Sequence, residues 1–117
     1  MFGRLAVLSP SAWWDDEAIV CRVTALPVKL PLRIWLDMGT QEGTEALAAV
    51  RRLRDAFVAK EWTPGRDLDY AEVRGGRHEE VAWGRRAGKV LRSLFPRRRP
   101  VQRRLFGFTL GGEPEEV

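Results

Sequence analysis

The residue best suited to carry a proton is the single histidine, His78, in the stretch Gly75-Gly76-Arg77-His78-Glu79-Glu80-Val81-Ala82-Trp83. A histidine's unperturbed pKa lies near neutrality, so a His at the tip of a strand, on a turn loosened by two glycines, can exchange protons at working pH. An ordinary surface histidine in a strand-to-helix loop has the same local sequence, and position alone leaves both readings open. The other groups that could join it are acids in the turn Asp37-Met38-Gly39-Thr40-Gln41-Glu42-Gly43 and two adjacent tryptophans, Trp13 and Trp14, in Ser9-Pro10-Ser11-Ala12-Trp13-Trp14. The tryptophans could line a pocket, or one could pack in the core while the other covers an edge.

Whether these residues meet depends on the elements that carry them. Arg4 to Ser9 is a short apolar run closed by Pro10, which suits a parallel strand buried on both faces. Asp15 and Asp16 open a helix through about Ala25, with acids where the positive helix end favours them. Pro27 and Pro31 bracket a linker, Leu32 to Leu36 reads as a second strand, and Asp37 to Gly43 as the turn after it. Ala46, Ala49, Val50, Leu53, Ala56 and Phe57 fall at the three- and four-residue steps of one helical face. Trp62-Thr63-Pro64-Gly65 forms a turn, and Leu68 to Val73 alternates as a third strand. Trp83, Ala87, Val90, Leu91, Leu94 and Phe95 mark the stripe of a third helix ending before Pro96.

Strand, helix, strand, helix, strand, helix is the order of an α/β fold, here about three parallel strands alternating with three helices. In such sheets ligands bind outside the carboxyl ends of the strands. Ser9 to Trp14, Asp37 to Gly43 and Gly75 to His78 are those ends, so tryptophans, acids and histidine are expected on one rim.

Composition narrows the function. At 44% hydrophobic residues the 117-residue chain reads as one globular domain. The first ten residues hold no secretory apolar core, and no run approaches the roughly 20 residues of a membrane span, so a cytoplasmic protein without membrane contact is expected. One cysteine, Cys21, excludes an internal disulfide and reads as a small buried apolar residue. With one Cys and one His there is no zinc ligand set, and neither metal nor cofactor is expected. The net charge of +4 includes Arg97, Arg98, Arg99, Arg103 and Arg104, set against Glu113, Glu115 and Glu116. Without stacking aromatics among those arginines, this is a solvated surface rather than a phosphate-tracking groove, which argues against nucleic acid as a partner. Residues 96–117 read as a basic, poorly ordered tail in which Leu105, Phe106, Phe108 and Leu110 could form a short apolar patch.

Three stretches together resemble a known family. Phe2-Gly3-Arg4 leading to Leu8-Ser9-Pro10-Ser11-Ala12-Trp13-Trp14, then Ile34-Trp35-Leu36-Asp37-Met38-Gly39-Thr40-Gln41-Glu42, then Gly75-Gly76-Arg77-His78 followed by Trp83, stand in the order and spacing of α/β-hydrolase esterases similar to esterase D and the enterochelin-type esterases. The resemblance covers residues 1–95 and corresponds to the C-terminal half of that fold. It implies carboxylic-ester hydrolysis, His78 as general base, and Glu42 as the triad acid with Asp37 as the less favoured alternative. The chain order of acid then histidine agrees with the hydrolase triad, in which a carboxylate fixes the imidazole tautomer and stabilises the imidazolium. Arg77 stands where the family usually has a further glycine. No Gly-x-Ser-x-Gly elbow occurs, and Ser9, Ser11 and Ser93 lack the flanking glycines that such a strained turn needs.

The expectation is therefore an esterase-like hydrolase fragment that holds the acid and base but not the nucleophile, and that is inactive alone. Trp13 and Trp14 would face a small ester substrate. Its first strand, with neighbours missing, would self-associate or pair with a complementing N-terminal half. The alternative is a non-catalytic binding or interaction module derived from a hydrolase, using the Trp13 and Trp14 rim or the tail.

Overall fold

The computed structural model describes residues 3–97. Their order is β1 (Arg4–Leu8), α1 (Trp14–Thr24), β2 (Arg33–Gly39), α2 (Thr44–Ala59), β3 (Leu68–Val73) and α3 (Glu80–Leu94). The strands form one parallel sheet in the order β1-β2-β3, with Val7 opposite Leu36, and Leu36 opposite Tyr70. The α/β architecture of three parallel strands alternating with three helices is thus present. The arginine run beyond Arg97 and the Leu105 to Leu110 patch lie outside the described residues.

The central strand distributes its side chains by alternation. Ile34, Leu36 and Met38 enter a core with Val50, Leu53, Phe57, Trp62 and Leu68, packed beneath α1 and α2. Trp35 leaves the opposite face and meets Val90 and Leu94 of α3. Trp62, expected only as part of a turn, is 1% exposed, stacks edge-on against Phe57, and donates from its indole to the Leu32 carbonyl.

Several local expectations are corrected. β2 runs through Asp37, Met38 and Gly39 rather than turning at Asp37, because these residues continue the ladder to β3. β1 is not buried on both faces: it lies at a sheet edge and Leu5 is 42% exposed. Asp15, Asp16 and Glu17 do not make an ordinary first helical turn; all three have positive φ, between 51° and 59°, and Glu17 binds Arg52 of α2. Cys21 is exposed. The buried stripe of α3 is Ala82, Arg86, Val90 and Leu94, rotated from the expected one, which leaves Leu91 and Phe95 exposed. Among the described residues no helix is long and apolar enough to cross a membrane.

Candidate functional site

The carboxyl ends of the three strands meet around a single close backbone contact. A Cβ on Gly39 would lie 2.3 Å from the Gly76 carbonyl oxygen, so only glycine lets the β2 end and the β3 loop approach this closely. The contact is tied by Gln41 N–H donating to the Gly76 carbonyl at 2.9 Å and Gly75 N–H donating to Thr40 Oγ1 at 2.9 Å. It brings the loop after β2, with Glu42, beside the loop after β3, with His78.

Glu42 Oε1 and His78 Nδ1 are 2.8 Å apart. The Glu42 side chain is 1% exposed and that of His78 is 58% exposed, so a buried acid holds an open imidazole. A carboxylate can only accept, so when the imidazole is neutral Nδ1 carries the proton and Nε2 is the basic nitrogen. Glu42 Oε2 in turn accepts from Ser9 Oγ at 2.6 Å and from the Gly39 N–H at 2.7 Å. Burial by itself would raise the Glu42 pKa, but the hydrogen bonds from Ser9, His78 and Gly39 outweigh it and hold the carboxyl below its usual range. The His78 ring meets Trp83 edge-on, with centroids 4.9 Å apart.

Asp37, the alternative acid, is engaged elsewhere. It is fully buried, accepts from Arg86 Nη1 at 2.8 Å and from the Trp35 indole at 2.9 Å, and also receives the Ser9 N–H. Arg86, 6% exposed, donates from the same Nη1 to Ser9 Oγ at 3.1 Å, and its Nη2 lies 3.6 Å from Glu42. Asp37, Arg86, Ser9, Glu42 and His78 therefore form one connected polar chain leading from the sheet interior to the surface. Ser9 has a positive φ of 47° and is 4% exposed; its hydroxyl donates to Glu42, and among the described residues no hydrogen bond joins it to His78.

Trp13 and Trp14 do not join this group. They are 52% and 65% exposed, and among the described residues neither makes a hydrogen bond or ring contact with His78 or Glu42. Trp13 instead lines a depression with Asp16, Glu45 and Arg52. Arg86 and Ser9 are the members of the network that sequence reasoning missed. The available signal was spacing, since Ala82, Arg86 and Val90 lie four residues apart on one helical face. Among the described residues no three His, Cys, Asp or Glu side chains gather to hold a metal ion.

Comparison with protein-family models, curated proteins and solved structures finds no match to this chain.

Proposed function

We propose that the chain carries the acid and base of an esterase-type α/β-hydrolase site, with Glu42 and His78 in those roles and the nucleophilic serine supplied by residues outside 1–117. The observation that carries this reading is the 2.8 Å pairing of an exposed imidazole with a buried carboxylate. In acyl transfer, Nε2 would take the proton of a serine hydroxyl as it attacks an ester carbonyl, while Glu42 stabilises the imidazolium. The same nitrogen would then return the proton to the leaving alkoxide. The resemblance of residues 1–95 to esterase D and the enterochelin-type esterases points to carboxylic esters as the substrate class.

No Gly-x-Ser-x-Gly occurs in the sequence, and the one serine in the network is turned toward Glu42. The edge of β1, unpaired among the described residues and with Leu5 exposed, is where a complementing polypeptide would add its strand, or a second copy would pair. The test uses p-nitrophenyl acetate in two arms. These 117 residues alone should show no hydrolysis above His78→Ala. A longer polypeptide with a serine elbow preceding β1 should hydrolyse the ester, with kcat falling by about 10⁴ in Glu42→Gln, as for other triad acids. Burst kinetics with an acyl group on Ser9 or Ser11 would overturn the reading, as would elbow-dependent activity indifferent to His78→Ala.

A second reading, a non-catalytic interaction module, draws on Trp13 and Trp14, two large aromatic side chains left more than half exposed side by side. A binding partner lost on Trp13→Ala and Trp14→Ala but retained on His78→Ala would favour it.

A further inference from the structure

The loop that carries His78 is also one wall of a separate cavity of about 540 Å³ between β3 and α3, a volume within the range of small-molecule sites. Its lining includes Trp35 and five cations, Arg74, Arg77, Arg85, Arg86 and Lys89, against two acids, Glu72 and Glu79. Glu72 is already engaged by both Arg51 and Tyr70. Arg85 and Lys89 stand one helical turn apart, a spacing at which like charges repel. Among the described residues neither they nor Arg74 and Arg77 make an ion pair. Arg86 lines the same cavity although it is 6% exposed, and its Nε and Nη2 find no hydrogen-bond acceptor among the described residues. A cavity with an excess of unpaired cations, and a buried guanidinium with donors to spare, is built to receive negative charge.

We propose that this cavity binds the carboxylate or phosphate group of a small molecule, with Arg85, Lys89 and Arg77 as the principal contacts and Arg86, whose charge is met by Asp37, offering its unpartnered Nε–H from beneath. The site is distinct from the Glu42 and His78 pair and does not depend on the esterase reading. It shares with that pair the loop 75–79 and Arg86, so its occupancy is expected to register at the imidazole.

The experiment titrates the full chain at low salt with inorganic phosphate and, separately, with succinate, by calorimetry and by NMR of the single His78 ring. The expected result is saturable one-site binding with Kd of about 1 mM or tighter for at least one of the two anions, and a concurrent shift of the His78 signal. The double variant Arg85→Gln and Lys89→Gln, at two exposed positions, should weaken binding at least about tenfold, a change of about 1.4 kcal/mol. Arg22→Gln, which removes one exposed cation from α1, should leave it unchanged. The stronger of the two anions identifies phosphate or carboxylate as the group bound. Absence of saturation with both anions, or equal weakening by the Arg22 and the Arg85/Lys89 variants, would overturn the proposal.

Discussion

Ile34, Leu36 and Met38 leave one face of β2 into a core closed by Val50, Leu53, Phe57 and Trp62, whereas Trp35 and Asp37 leave the other face toward Arg86, Val90 and Leu94. The first face is dry, and its stability comes from apolar area and close packing. The second buries an ion pair whose desolvation is offset in part because Arg86 Nη1 and Asp37 bind each other and Ser9, while Arg86 Nε and Nη2 find no hydrogen-bond acceptor among the described residues. Complementary charge rather than volume decides what that face tolerates. It is also the face whose upper end continues into Glu42 and His78, so the polar network serves position more than stability.

Mutations can break this contrast, and the largest effect is expected at Arg86. Arg86→Met leaves Asp37 buried without its cation and should destabilise by about 3–5 kcal/mol in chemical denaturation. Adding Asp37→Asn should recover most of that loss, since removing both charges is often near neutral. On the dry face Leu53→Ala should cost about 2–5 kcal/mol through lost transfer energy and a cavity, with no second polar substitution able to rescue it. If the Arg86 and Leu53 variants respond alike to Asp37→Asn, the two faces do not differ as described.

A smaller loss, about 1–3 kcal/mol, is expected for Gly39→Ala, whose methyl would be driven into the Gly76 backbone. This variant should also displace the His78 loop, which a change in the His78 ring contact with Trp83 would report.

Acid titration perturbs the fold least. Glu42 is held below its usual range, and Glu72 is lowered to about 2, first by its hydrogen bonds from Arg51. Groups with depressed folded pKa values stabilise fully above about 4.5 and lose that contribution as pH falls toward 2. Stability should therefore decline across that interval, and Glu72→Gln should flatten the lower part of the slope. At the alkaline end Tyr70, raised to about 12 chiefly by burial, favours the fold below pH 10 and loses that contribution between 10 and 12.

The dry face was legible in the sequence because period-2 and period-3.6 patterns report apolar burial directly; the steps from Ala49 to Phe57 gave α2 its core positions. The polar face was legible only in part. Asp37 reads as a turn residue by composition, yet it extends β2 because its charge is met by an arginine 49 positions away, a long-range fact that no local pattern contains. For the same reason the α3 stripe was assigned through Ala87 and Leu91, while the buried position fell to Arg86. His78 is expected at a strand end and Glu42, with Asp37 as the alternative, is what the resemblance implies; the structure sets Glu42 and His78 within hydrogen-bond distance. Trp13 and Trp14 sit after β1 as the order of elements requires, but more than half exposed and, among the described residues, without a hydrogen bond or ring contact to His78, since strand-end placement fixes a rim and not a side-chain direction.

The buried Glu42 carboxylate fixes the tautomer of His78 so that Nε2 is the basic nitrogen. Because the chain has one histidine, its ring gives a single pair of ¹⁵N signals, and these distinguish the two tautomers directly. With the imidazole neutral, the expected spectrum shows the proton on Nδ1, and Glu42→Met should abolish that preference. A proton residing on Nε2 in the unaltered chain, or a tautomer unchanged by Glu42→Met, would contradict the account.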